Sequence, residues 1–169
     1  MAEEYEGGEG GEGLETPPSF FPYSGSNPER EPGNFGELVE VSVQGVFGAE
    51  TKGRISHFVL LTDGVRKLPI LIGASESNAI MYIIEQKRPN RPQTHDLIKN
   101  ILDRVGCDID RVVIDDFWNA VYYAKMYLQS GNAEVEIDSR PSDAIAMALR
   151  FEAPIYVADE LLDVDSDLV

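Results

Sequence analysis

A single cysteine, Cys107, stands in the 169-residue chain. That excludes an internal disulfide and a cysteine-based zinc site, and it fits a reducing compartment, most simply the cytoplasm. Basic residues are scarce as well: 14 Lys+Arg stand against 30 Asp+Glu, a formal net charge of −16. Nonspecific coating of nucleic acid rests on a basic field, and this chain has none overall. An enzyme that works through a local basic patch or a metal ion remains compatible with that balance. No run approaches the ~18 apolar residues that a membrane helix needs. The opening Met1-Ala2-Glu3-Glu4 is acidic and lacks an apolar stretch, so no secretory signal is expected.

Glycine and proline are present but unevenly placed. Residues 1–36 hold eight of the 15 glycines, five of the 10 prolines and eight of the 30 acidic residues. Such a segment cannot bury enough apolar surface to offset chain entropy, so a disordered acidic leader is expected over 1–36. Gly8, Gly10 and Gly13 match a phosphate-loop spacing. No strand precedes them, and the interleaved glutamates would repel a phosphate. The remaining length suffices for about one domain. It is expected over 37–163, with a short acidic end at 164–169.

Within 37–163 the hydrophobic pattern alternates between periods of two and of 3.6. Val39, Val41 and Val43 alternate with polar residues as in a half-buried strand. Ile55 to Thr62 and Leu68 to Ile72 read as two more strands joined at the Asp63-Gly64 turn, and Pro69 places the second of these at an edge or a bulge. A helix follows Gly73 with Ser75 as its expected cap, and another opens at Thr94 and closes at Gly106. Arg111 to Asp116, Ala120 to Leu128 and Ala133 to Asp138 read as strands. Asp143 to Arg150 reads as a helix apolar nearly all round, and Pro154 to Val157 as a last strand. The expected class is therefore α+β, with a mixed or antiparallel sheet and about three helices in one compact domain.

Three segments stand out. They are Leu68-Pro69-Ile70-Leu71-Ile72-Gly73 with Glu76 behind it, then Arg91-Pro92-Gln93-Thr94-His95-Asp96-Leu97, then Asp138-Ser139-Arg140-Pro141-Ser142-Asp143-Ala144-Ile145-Ala146. In this order and spacing the chain resembles the bifunctional nuclease domain family over roughly 37–162. The Phe117-Trp118-Asn119 turn departs from the pattern by lacking a glycine. The resemblance implies a compact α+β domain, often homo-oligomeric, that cleaves both DNA and RNA.

Phosphodiester hydrolysis needs an activated water and donors for the charge that builds on the phosphoryl oxygens. His95 and Asp138 are the candidate catalytic groups, and Arg91 and Arg140 the candidate phosphate contacts. Glu76, Asp96 and Asp138 are candidate ligands for Mg²⁺ or Mn²⁺, ions that favour carboxylate and water oxygens. Each has a plainer reading. Glu76 and Asp96 sit in helix first turns, where a carboxylate serves the dipole. Asp138 and Asp143 fit turn and cap duties, and Arg140, held extended before Pro141, can simply tether a nearby aspartate. Of the two aspartates, Asp138 is expected to act catalytically and Asp143 structurally. The substrates expected are DNA and RNA, with no membrane partner. A non-enzymatic regulatory or ligand-binding module on the same fold is the alternative, since no catalytic cluster is unambiguous in the sequence.

Overall fold

The computed structural model describes residues 36–51 and 53–162. The expected leader, Gly36 apart, and the expected acidic end at 164–169 lie outside the described residues. Seven strands and four helices follow in the order β1 (Leu38–Thr51), β2 (Arg54–Thr62), β3 (Lys67–Ile72), α1 (Ala74–Ile84), α2 (Thr94–Val105), β4 (Asp108–Trp118), β5 (Val121–Ser130), β6 (Ala133–Ser139), α3 (Pro141–Phe151), β7 (Ile155–Ala158) and α4 (Asp159–Leu162). The class is α+β, as the alternation of periods indicated.

The strands form one sheet in the order β3-β2-β1-β7-β4-β5-β6. Neighbours run antiparallel except β4 and β7, which are parallel through Val112↔Ile155 to Ile114↔Val157. Pro69, lacking an N–H, sits in edge strand β3 opposite Leu60, where the missing donor is least costly. β1 is longer than its alternation suggested. Its pairing with β2 continues past a bulge at Val43/Gly45 to Thr51↔Arg54, and Gly45 and Gly48 break the visible pattern.

α1 packs on β1 and β2, and α3 packs on β4 and β5 and against α1 and α2. Val59, Leu61, Ile80, Val112, Ile114, Ile145 and Val157 are fully buried between these layers. Each contributes roughly 1.5–3 kcal/mol by leaving water. α3 is buried through Ala144-Ile145-Ala146-Met147-Ala148, which explains its apolar character on all sides. α2 differs: none of its side chains is fully buried, and Leu97, Ile101 and Val105 are exposed. Among the described residues no helix is long and apolar enough to cross a membrane.

Three helix starts differ from the sequence reading. α1 begins at Ala74 on an extended Gly73, not at Ser75. Gln93 rather than Thr94 is the residue before α2, and Asp96 accepts its backbone N–H at 2.8 Å. α3 begins at Pro141, whose fixed φ suits the first helical position. Gly106 ends α2 with φ 71°, the left-handed conformation that glycine adopts without penalty. The β4–β5 turn takes φ 51° at Asn119 and 61° at Ala120, so the pair meets the demands of a two-residue hairpin without glycine.

Candidate active site at three helix N-termini

The chain places the first turns of α1, α2 and α3 around one open depression of about 790 Å³. Ser75 and Glu76 enter from α1, Thr94 and His95 from α2, Arg140 and Asp143 from α3. Met126 of β5 and Asp138 of β6 form the sheet side. Unpaired N–H groups and the helix dipole make each N-terminus a place for an anion. Gly73 and Arg140, the residues before α1 and α3, donate no side-chain cap.

Asp143 is the hub. Its Oδ1 lies 3.1 Å from His95 Nε2, and its Oδ2 accepts Arg140 Nε at 2.8 Å. Arg140 Nη2 also reaches Asp143 Oδ1 at 3.2 Å and Glu76 Oε1 at 2.9 Å. Burial works against the charge on Asp143, but the bonds from Arg140 and His95 outweigh it and hold its pKa below 3.8. An ionised carboxylate only accepts, so the contact places a proton on His95 Nε2, and in the neutral ring Nδ1 is then the acceptor. Nδ1 has no hydrogen-bond partner among the described residues. His95 is held in a narrow gap, its side chain 11% exposed.

Glu76 folds back over the start of α1, so that a Cβ on Gly73 would run into its carboxylate. Glycine there leaves room for Glu76 to meet Arg140. Asp143 in turn holds Arg140 through two contacts, which raise the guanidinium pKa further.

The expected residues are thus divided. Glu76, His95, Asp138 and Arg140 line the depression together. Asp138 is exposed, and its carboxylate makes no hydrogen bond or ion pair among the described residues. Arg91 is exposed in the loop before α2 and is not part of the lining. Asp96 turns the other way. Its Oδ1 accepts Arg150 Nε at 2.7 Å, and Arg150 also donates to the carbonyls of Ala146 at 2.9 Å and Ala79 at 3.3 Å. That buried guanidinium ties α2 to α1 and α3, so Asp96 is committed to scaffold.

The three expected metal ligands are therefore not gathered as a set. Among the described residues no three His, Cys, Asp or Glu side chains stand together as a ready cage. Glu76 and Asp138 do share the depression. One or two carboxylates completed by substrate phosphate oxygens and water are what Mg²⁺ ordinarily uses. Asp115 and Asp116, adjacent on β4, form no metal pair: buried Asp115 meets Lys125 Nζ at 3.2 Å, while Asp116 accepts the N–H of Phe117 at 2.7 Å.

The fold and this cleft define a small α+β domain with a charged depression at converging helix starts. The chain belongs to the bifunctional nuclease domain family, whose model matches residues 59–167. It is similar to an uncharacterized protein of Mycobacterium tuberculosis, with 34% identity over 123 residues, 73% of each chain. It is also similar to the proteins named bifunctional nuclease 1 of Oryza sativa subsp. japonica and of Arabidopsis thaliana, each 32% identical over 93 residues. Those matches take in 53% of this chain and only 28% and 29% of the two plant proteins.

Proposed function

We propose that this chain is a nuclease that hydrolyses phosphodiester bonds in DNA and RNA with low sequence specificity. The observation that carries the reading is the convergence of the His95–Asp143 pair and Arg140 on one depression at three helix N-termini. Family membership and the plant relatives' name support it.

In this reading Asp143 fixes the tautomer of His95 and stabilises the imidazolium that forms. His95 Nδ1 takes a proton from water, and the resulting hydroxide attacks phosphorus. Arg140 meets the charge on the phosphoryl oxygens. The leaving oxygen takes its proton from water. Glu76 and Asp138 would hold Mg²⁺ or Mn²⁺ together with substrate oxygens, and the ion would supply charge neutralisation. Arg91, on the approach to α2, is proposed to meet a phosphate further along the strand.

The domain is also proposed to act as a homo-oligomer. Leu97, Ile101 and Val105 of α2 are 55%, 51% and 64% exposed, an apolar stripe unusual for a helix facing water. Cleavage of single-stranded DNA and RNA by the purified chain, lost in His95→Ala, tests the catalytic reading. A purified, folded chain that leaves both polymers intact with Mg²⁺ and with Mn²⁺ overturns it.

A further inference from the structure

A second depression of about 640 Å³ adjoins the first, and Arg140 borders both. Its size lies within the ~300–1,000 Å³ span of small-molecule sites. Ile55 of β2, Leu71 of β3 and Val121 of β5 stand around it at 64%, 65% and 54% exposure, a concentration of bare aliphatic surface at one mouth. Tyr122 lines it too, its ring kept in place by Phe117 at a centroid distance of 4.5 Å. Two nitrogen-bearing side chains stand in its wall, beside the hydroxyls of Ser56, Tyr122 and Ser142. One is His57, whose Nδ1 lies 3.5 Å from buried Ser77 Oγ. The other is Arg140, 67% exposed, whose Nη1 carries no hydrogen bond among the described residues.

We infer that this second depression is a nucleobase subsite, taking an unpaired base next to the phosphate held at Arg140. The inference rests on the nuclease reading of the neighbouring cleft and names the form of its substrate. A phosphate drawn to Arg140, which borders both depressions, leaves its two flanking nucleosides on opposite sides of that arginine. One side is the His95 cleft. The other has Ile55, Leu71, Val121 and the Tyr122 ring in its walls, which suits a flat base with an apolar face. Every base has such a face, so the walls select against pairing rather than for sequence. A base stacked in a duplex cannot enter, and single strands, loops and ends are the substrates that fit. His57 is placed to hydrogen-bond a base edge or sugar hydroxyl.

The test uses the full chain, a short oligothymidylate and a sugar–phosphate strand of equal length without bases, with binding read by fluorescence anisotropy and cleavage read separately. Wild type should bind the base-bearing strand ~10-fold more tightly, the scale of one stacked base. Leu71→Ser and Val121→Ser, both at exposed positions, should lose that preference and leave the affinity for the baseless strand unchanged. Equal wild-type affinity for the two strands overturns the subsite, as does a loss in the variants that is the same for both. If the variants instead dissociate an oligomer in light scattering while base preference survives, the walls belong to a contact between copies and the inference falls. The nuclease reading fails separately. A base preference without cleavage removes the nuclease and keeps the subsite, and cleavage without base preference does the reverse.

Discussion

His95 Nε2 and Asp143 Oδ1 lie 3.1 Å apart although 48 residues separate them in the chain. The contact joins the first turn of α2 to the first turn of α3, and it makes Asp143 the partner of the one histidine in the cleft. The expectation that Asp143 serves architecture and Asp138 chemistry can now be tested against this contact. Asp143→Asn keeps a short side-chain oxygen for the helix start but removes the charge that fixes and supports His95. Nuclease activity should fall ~10²-fold or more, the scale of losing one acid–base group. Stability should change by only about 1 kcal/mol, because Arg140 is largely exposed and its pairing is screened. Asp138→Asn should lower activity with unchanged melting. An Asp143→Asn protein with full activity would return that residue to a structural role.

Metal dependence is the prediction that goes with the two wall carboxylates of the proposed mechanism. Chelation with EDTA should abolish cleavage, and Mg²⁺ or Mn²⁺ should restore it. Glu76→Gln and Asp138→Asn should each raise the ion concentration needed for half-maximal activity. If cleavage runs undiminished in chelator, the ion leaves the mechanism and the His95–Asp143 pair carries water activation alone.

Most of the elements were legible because their apolar residues repeat locally. Strand β2, α2 and the buried helix α3 all declare themselves within nine to twelve residues. The insertion of β7 between β1 and β4 was not legible. A four-residue strand carries no period, and its neighbours lie far away in sequence. The cleft was legible in parts. His95, Arg140, Glu76 and Asp138 could be picked out as chemistry-bearing residues near helix starts, but their partners could not. Asp96 and Asp143 occupy the same first-turn position in similar local contexts, yet one meets buried Arg150 and the other meets His95 and Arg140. Only the packing of α2 on α3 decides which. The aliphatic wall of the second depression was hidden for a different reason. Ile55, Leu71 and Val121 read as ordinary strand residues until exposure separates them from their buried neighbours.

The stripe on α2 should be covered by another copy of the chain. Replacing Ile101 by glutamate puts a charge at the centre of that stripe without touching the domain core, since the position is 51% exposed. Light scattering across a dilution series should show an oligomer for wild type and a smaller mass for Ile101→Glu, with both proteins melting cooperatively. A wild-type chain that is monomeric at micromolar concentration removes the oligomer.

The Asp96–Arg150 bridge should govern stability rather than catalysis. The Arg150 side chain is 3% exposed, so removing its counterion leaves a charge that water cannot reach. Asp96→Asn should therefore cost about 3 kcal/mol, the low end for breaking a buried pair, because Asp96 keeps some contact with water. For a domain of this size that lowers the melting temperature by about 10 °C. Arg150→Met removes the buried charge itself, and combined with Asp96→Asn it should recover much of the loss. Acid should reveal the same bridge. Burial opposes the charge on Asp96, but the Gln93 N–H and the Arg150 guanidinium outweigh it and hold its pKa below 3.8. A carboxylate depressed in the folded state binds its proton more readily when unfolded. Its stabilisation is therefore complete above the unfolded value near 3.8 and is lost as pH falls below it. Melting temperature should be flat with respect to this group at neutral pH and drop below about pH 4. The Asp96→Asn protein should start lower and show a shallower acid decline. An equally steep decline in that variant would mean that other carboxylates, Asp143 first among them, carry the acid sensitivity.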